Sequence, residues 1–337
     1  MNVCCTKAIG SAIASCLVAG FAQAQSPYYE KVEVPSATSA DFADIYNGTA
    51  KPQAITLHIY LPPSAELPYP VVVAAHGSGG IGAMENFFKE PLLRAGFAYV
   101  VPDSFGSRDV ASTGADQGAV SYSSQVADAL YAFKYLSTQS RFDPLRIGLL
   151  GYSRGGMVAN MATHKPLVTS VVGKGHGYIA FFEITPACNV QMANWKTDPV
   201  RFYFALGEKD DLTPAHTCNP VIEKLKAAGA DVTVKRYDGG YHGFANVEIG
   251  KRWVPKIQKI ASDKACPIVT DELGVTSVSR EGIRASSITV GDDWPKFVNR
   301  WLDACGGYGA YIGSEVDHRD AIKKDVVTFF ATAMPKK

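Results

Sequence analysis

The pentapeptide Gly151-Tyr152-Ser153-Arg154-Gly155 constrains this chain more than any other stretch. An apolar run, Arg146-Ile147-Gly148-Leu149-Leu150, leads into it. A helix-compatible run, Gly156-Met157-Val158-Ala159-Asn160-Met161-Ala162, leads out. Strand, sharp turn and helix, with a serine at the apex, hold that serine in a strained backbone conformation and lift its hydroxyl clear of a sheet. Glycines flank the apex because a Cβ there would clash. A hydroxyl is a poor nucleophile at neutral pH, so the pattern predicts a base and an orienting acid further along the chain.

On such a sheet the acid and then the histidine follow the serine, each after a later strand. Arg201–Ala205 reads as the first of these strands, and Leu206-Gly207-Glu208-Lys209-Asp210-Asp211-Leu212-Thr213-Pro214 as its loop. Either aspartate can orient an imidazole. Asp210 is preferred, three residues after Gly207 and four before Pro214. Val232–Tyr237 is the next strand, and its loop, Asp238-Gly239-Gly240-Tyr241-His242-Gly243-Phe244, supplies His242. His176, in Gly175-His176-Gly177, is the main rival, but it precedes the acid. A tetrahedral oxyanion needs backbone donors. The N–H of Arg154 is one, and the N–H of Ser78, in the turn Ala74-Ala75-His76-Gly77-Ser78-Gly79-Gly80, is the other.

The rest of the chain bounds this reading. A formal charge of +1 over 337 residues gives no global field for nucleic acid. With 47% hydrophobic and 19% charged residues the chain is globular. Lys7, the apolar run Ala8 to Phe21 and Ala22-Gln23-Ala24 predict an export signal over residues 1–24. A lipoprotein anchored at Cys16 is the minor alternative. No stretch is long and apolar enough to predict a membrane span. After cleavage four cysteines remain, and an even number in an exported protein predicts two disulfides. Cys188–Cys218 and Cys266–Cys305 are the favoured pairs, each bracketing a loop-rich stretch.

Further strands are expected at Ala54–Leu61, Tyr69–Ala75, Phe97–Val101, Ile147–Leu150 and Val168–Val172, after a polar lead-in to about Gly48. Helices are expected at Met84–Ala95, Ser123–Leu136, Gly155–His164, Pro220–Ala228 and Arg319–Ala331, with a short one from Asp292 to Trp301. The alternation predicts an α/β fold, a mostly parallel central sheet with helices on both faces, in one domain over 25–337. Residues from about 247 to 290 fit poorly and read as an insertion. Tyr152, Tyr178, Phe181, Phe182, Trp195 and Tyr241 are candidates for a pocket wall. Arg154 is expected in a structural ion pair, with a substrate carboxylate as its second option. Two other readings remain. Gly77-Ser78-Gly79-Gly80-Ile81-Gly82 matches a dinucleotide fingerprint, with Asp103 about 20 residues on, which suggests a nucleotide-dependent oxidoreductase. The same fold also serves non-catalytic binding proteins.

Taken together, His76 to Gly80, Pro102-Asp103-Ser104-Phe105, Gly151 to Gly156, Gly207 to Pro214 and Tyr241 to Phe244 resemble the dienelactone hydrolase family of α/β-hydrolases, over about Ala54 to Phe244 plus the last helix. The resemblance implies a small-molecule ester as substrate; no cofactor is expected, and no metal cluster with ligand spacing stands in the sequence. It is incomplete in two places. The name-giving enzymes use a cysteine nucleophile, where Ser153 stands here. They also carry a glutamate in the turn after the early strand, where Gly77 stands. A general serine esterase is therefore expected rather than dienelactone chemistry.

Overall fold

The computed structural model describes residues 28–63, 66–175, 177–245, 250–259, 266–278 and 293–335. The expected export signal, Cys16 and His176 lie outside the described residues. Strand β1 (Tyr28–Thr38) pairs antiparallel with β2 (Lys51–Leu61), and helix α1 (Phe42–Asn47) sits between them. The expected polar lead-in is thus a strand and a helix. Glu30, Lys31 and Glu33 mask a period-two pattern whose inward members are Val32, Val34 and Ser36.

The chain then alternates: β3 (Tyr69–Ala75), α2 (Ala83–Arg94), β4 (Ala98–Asp103), α3 (Tyr122–Ser137), β5 (Phe142–Tyr152) and α4 (Arg154–Met161). Next come α5 (Lys165–Val171), β6 (Ala180–Ile184), β7 (Val190–Met192), β8 (Arg201–Gly207), α6 (Asn219–Ala227) and β9 (Asp231–Tyr237). Eight strands form one sheet in the order β1-β2-β4-β3-β5-β6-β8-β9, parallel from β4 onward. Neighbouring residues of β3 face opposite sides. Val71 and Val73 pack with Leu130 of α3 and Met157 of α4, while Val72 packs with Phe88 of α2. Burial on both faces is why these strands read as near-continuous apolar runs.

Val168–Val172, expected as a strand, lies mostly in helix α5. Pro166 suits a first helical turn, and Leu167, Val168 and Val171 share one buried face, so packing overrides the β preference of valine. The strand that takes this place in the sheet is β6, with all five residues buried. Phe181 and Phe182 belong to it. They stack on Phe202 and Tyr203 in the core and are not a pocket wall.

The last third holds β10 (Arg252–Lys259), β11 (Ile268–Thr270), β12 (Thr276–Val278), α7 (Trp294–Cys305), β13 (Gly307–Ile312) and α8 (Arg319–Ala333). Within the stretch expected as an insertion, β11 pairs with β7 and β12, while β10 pairs antiparallel with β13 as a separate two-stranded ribbon. Helix α8 buries Ile322, Val326, Phe329 and Phe330, with Phe329 and Phe330 against Phe182. Disulfides join Cys188 to Cys218 and Cys266 to Cys305. Among the described residues no helix is long and apolar enough to cross a membrane.

Candidate active site

The turn between β5 and α4 puts Ser153 at φ 55° and ψ −115°, a conformation costly for any residue with a side chain. Four backbone hydrogen bonds hold it there. The Ser153 N–H donates to Ile184 O at 2.9 Å, and the Ser153 carbonyl accepts from Gly156, Met157 and Ala187. The glycines are required by close approach. A Cβ on Gly151 would lie 2.2 Å from Gly155 O, and one on Gly155 would lie 1.9 Å from Ala75 O.

His242 arrives on the loop after β9, and its Nε2 lies 2.9 Å from Ser153 Oγ. Its Nδ1 lies 2.9 Å from Asp210 Oδ2. With the ring proton on Nδ1, His242 donates to the carboxylate and accepts from the serine hydroxyl. Asp210, on the loop after β8, also accepts the N–H groups of Leu212 and Thr213 at 2.9 and 2.8 Å. Thr213 Oγ1 adds a contact at 2.8 Å to Asp210 Oδ2 and stands 3.0 Å from Thr185 O. Thr185 itself holds φ 44°, an outlier for a β-branched residue, right after β6. Asp211 turns away from the histidine, toward Lys259 and the N–H of Tyr311. Ser153, Asp210 and His242 are all buried.

The two N–H groups expected to hold an oxyanion flank Ser153 differently. That of Arg154 is the first of α4, and that of Ser78 sits in the glycine turn after β3. Neither has an acceptor among the described residues. Among the described residues the expected ion pair of Arg154 is absent. Its buried guanidinium donates to Gln125 Oε1 and Gln117 Oε1, both at 2.8 Å, and to Val120 O, and stacks on Tyr122 with 4.5 Å to the ring centroid. Burial lowers its pKa to about 10, and these neutral acceptors replace the water a guanidinium loses. Asp103, which a dinucleotide reading would aim at a ribose, accepts the N–H of Gly106 at 2.7 Å. His76 is a buried structural residue. Burial holds its pKa at about 4, and Nε2 accepts from the Ser104 N–H at 3.3 Å.

The model of the dienelactone hydrolase family matches residues 55–266, more than half of the chain. The chain belongs to the dienelactone hydrolase family. Solved structures similar to it include a truncated carbohydrate esterase from gut microbiota. That one is 20% identical with TM-score 0.44, over 55% of this chain and 83% of that chain. Esterase 2 of Thermogutta terrifontis is also 20% identical, with TM-score 0.46, over 58% of this chain and 82% of that chain. Membership in the dienelactone hydrolase family makes the chain an ester hydrolase at the level of the family, on an α/β-hydrolase fold.

Against that family's pattern, Gly77 stands where a glutamate is expected, and the Tyr152 ring explains why the place is small. A Cβ on Gly77 would lie 2.9 Å from that ring, which packs on His242 with centroids 5.4 Å apart. Of the aromatics expected at a pocket, Tyr152 lines the cavity at Ser153. Tyr178 donates to Ala129 O and Trp195 to Thr163, both within the core. The cavity also takes in Gln117, Thr213, Ile257, Gln258 and Ile312. Ile257, Gln258 and Ile312 lie on the ribbon, outside the motifs, and no local pattern marks them.

Proposed function

We propose that this protein is an exported serine hydrolase that cleaves carboxylic esters through an acyl-enzyme intermediate. The observation that carries the reading is the position of His242, 2.9 Å from both Ser153 Oγ and Asp210 Oδ2. As Ser153 Oγ attacks the ester carbonyl carbon, His242 Nε2 takes its proton, and Asp210 stabilises the imidazolium through Nδ1. The carbonyl oxygen becomes an oxyanion that the N–H groups of Ser78 and Arg154 meet, each worth roughly 3–4 kcal/mol of barrier. His242 then returns the proton to the departing alcohol. Water, activated by the same imidazole, releases the acid and restores Ser153.

Export is supported by the signal pattern in residues 1–24 and by two disulfides, a combination that suits an oxidising compartment. The described residues after the signal are read as one α/β-hydrolase domain with the β10–β13 ribbon added to it. A fluorophosphonate probe with mass readout tests the chemistry. We expect one adduct on Ser153, and Ser153→Ala should lose both the adduct and hydrolysis of short p-nitrophenyl esters while keeping its circular dichroism spectrum. Hydrolysis that survives in Ser153→Ala would overturn the reading.

A further inference from the structure

The β10–β13 ribbon carries none of the reacting groups, yet it is tied to the loops that carry His242 and Asp210. Gly313, just past β13, donates to His242 O at 2.7 Å and accepts from the Tyr241 N–H at 3.0 Å. Tyr311 N–H and Lys259 Nζ both reach Asp211, next to Asp210 on the acid loop. On the side of the glycine turn, Gln258 Oε1 accepts the Gln117 N–H at 2.7 Å, and the Gln258 N–H donates to Gly114 O. The ribbon is therefore held in register across the site.

Its side chains help line the cavity at Ser153. Ile257 and Ile312 line it together with Leu212 and Tyr152. The cavity measures about 160 Å³. An apolar cavity of about 150 Å³ takes a benzene ring, so the space suits about six heavy atoms. Among the described residues no Lys, Arg, Asp or Glu lines it. The guanidinium of Arg154 is committed to Gln117, Gln125 and Val120. A carboxylate on the acyl group would lose water there and meet only uncharged donors such as Gln258, which offset the desolvation of a charge less than a cation would.

We infer that the ribbon is the acyl-binding wall of this enzyme and restricts it to uncharged esters of short acyl chains, with Ile257 setting the length. The inference rests on the serine hydrolase reading above. It is tested with p-nitrophenyl acetate, hexanoate and decanoate, and with the monosuccinate ester against its hydrocarbon isostere. We expect kcat/KM for decanoate to fall roughly tenfold or more below that for hexanoate. The monosuccinate ester should fall about a hundredfold below its isostere. Ile257→Ala should move the preferred length upward, and Ile257→Phe should move it down toward acetate.

Equal rates along the series, equal rates for the charged and neutral esters, or the same length profile in both variants would overturn the inference. If wild type labels with the fluorophosphonate and these outcomes occur, the ribbon assignment alone is lost. If wild type neither labels nor hydrolyses any ester, the hydrolase reading itself is lost.

Discussion

Asp211 Oδ1 accepts the backbone N–H of Tyr311 at 3.0 Å, while its neighbour Asp210 holds His242 Nδ1 at 2.9 Å. Two adjacent carboxylates thus serve different structures, one the ribbon and the other the imidazole. Asp210→Asn should lower kcat on the order of ten-thousandfold, because an amide in that place favours the wrong tautomer. Asp211→Asn should cost about 1 kcal/mol of stability and act on KM more than on kcat. Steady-state kinetics on both variants checks this. A larger loss of kcat in Asp211→Asn would reverse the roles.

The elbow leaves no room for a methyl group. A Cβ on Gly155 would sit 1.9 Å from Ala75 O, which is backbone and cannot swing aside. Gly155→Ala should therefore destabilise the protein by roughly 1–3 kcal/mol or more. Gly79→Ala meets nothing within 4 Å and should stay within about 0.5 kcal/mol of wild type. Urea unfolding of the pair decides.

Burial raises the carboxyl of Glu85 from 4.5 to about 7, against the N–H of Gly82 that it accepts at 2.7 Å. Between those values the folded protein keeps a proton that the unfolded chain releases. This contribution to stability is therefore whole below pH 4.5 and is lost as pH rises through about 7. His76, lowered from 6.5 to about 4, acts in the opposite sense and gives stability that grows as pH rises between those values. The comparison with Glu85→Gln isolates the carboxyl. Wild type should lose on the order of 2–3 kcal/mol relative to the variant from pH 4.5 to 7. A constant difference across that range would count against a neutral Glu85.

The disulfides close loops of 30 and 39 residues. On the chain-entropy account each should contribute roughly 3–4 kcal/mol. Cys188→Ser with Cys218→Ser, and separately Cys266→Ser with Cys305→Ser, should lower the denaturation midpoint accordingly. Alkylation under denaturing conditions should label the four cysteines only after reduction, which mass measurement reads directly.

What the sequence made legible was local. Ser153, Asp210 and His242 each sit in a loop just after a strand, and their order along the chain matches their order across the sheet. Val168–Val172 misled because β-branched residues suit either state until their neighbours are known, and here Pro166 and the burial of Leu167 and Val171 decided for helix. β6 was missed because Phe181 and Phe182 are as compatible with a pocket as with a core. The ribbon was out of reach for another reason. Trp253 pairs with Tyr311 and Lys259 with Gly307, partners so far apart in the chain that no local pattern joins them. Arg154 misled because a buried cation suggests a carboxylate, whereas glutamine side chains and a carbonyl satisfy it here.

The strand that braces the histidine loop begins at Gly307, some way beyond residue 266, where the family match ends. Transplanting the shared portion alone into another scaffold would carry over Ser153, Asp210, His242 and β10 but leave β10 without its partner strand β13.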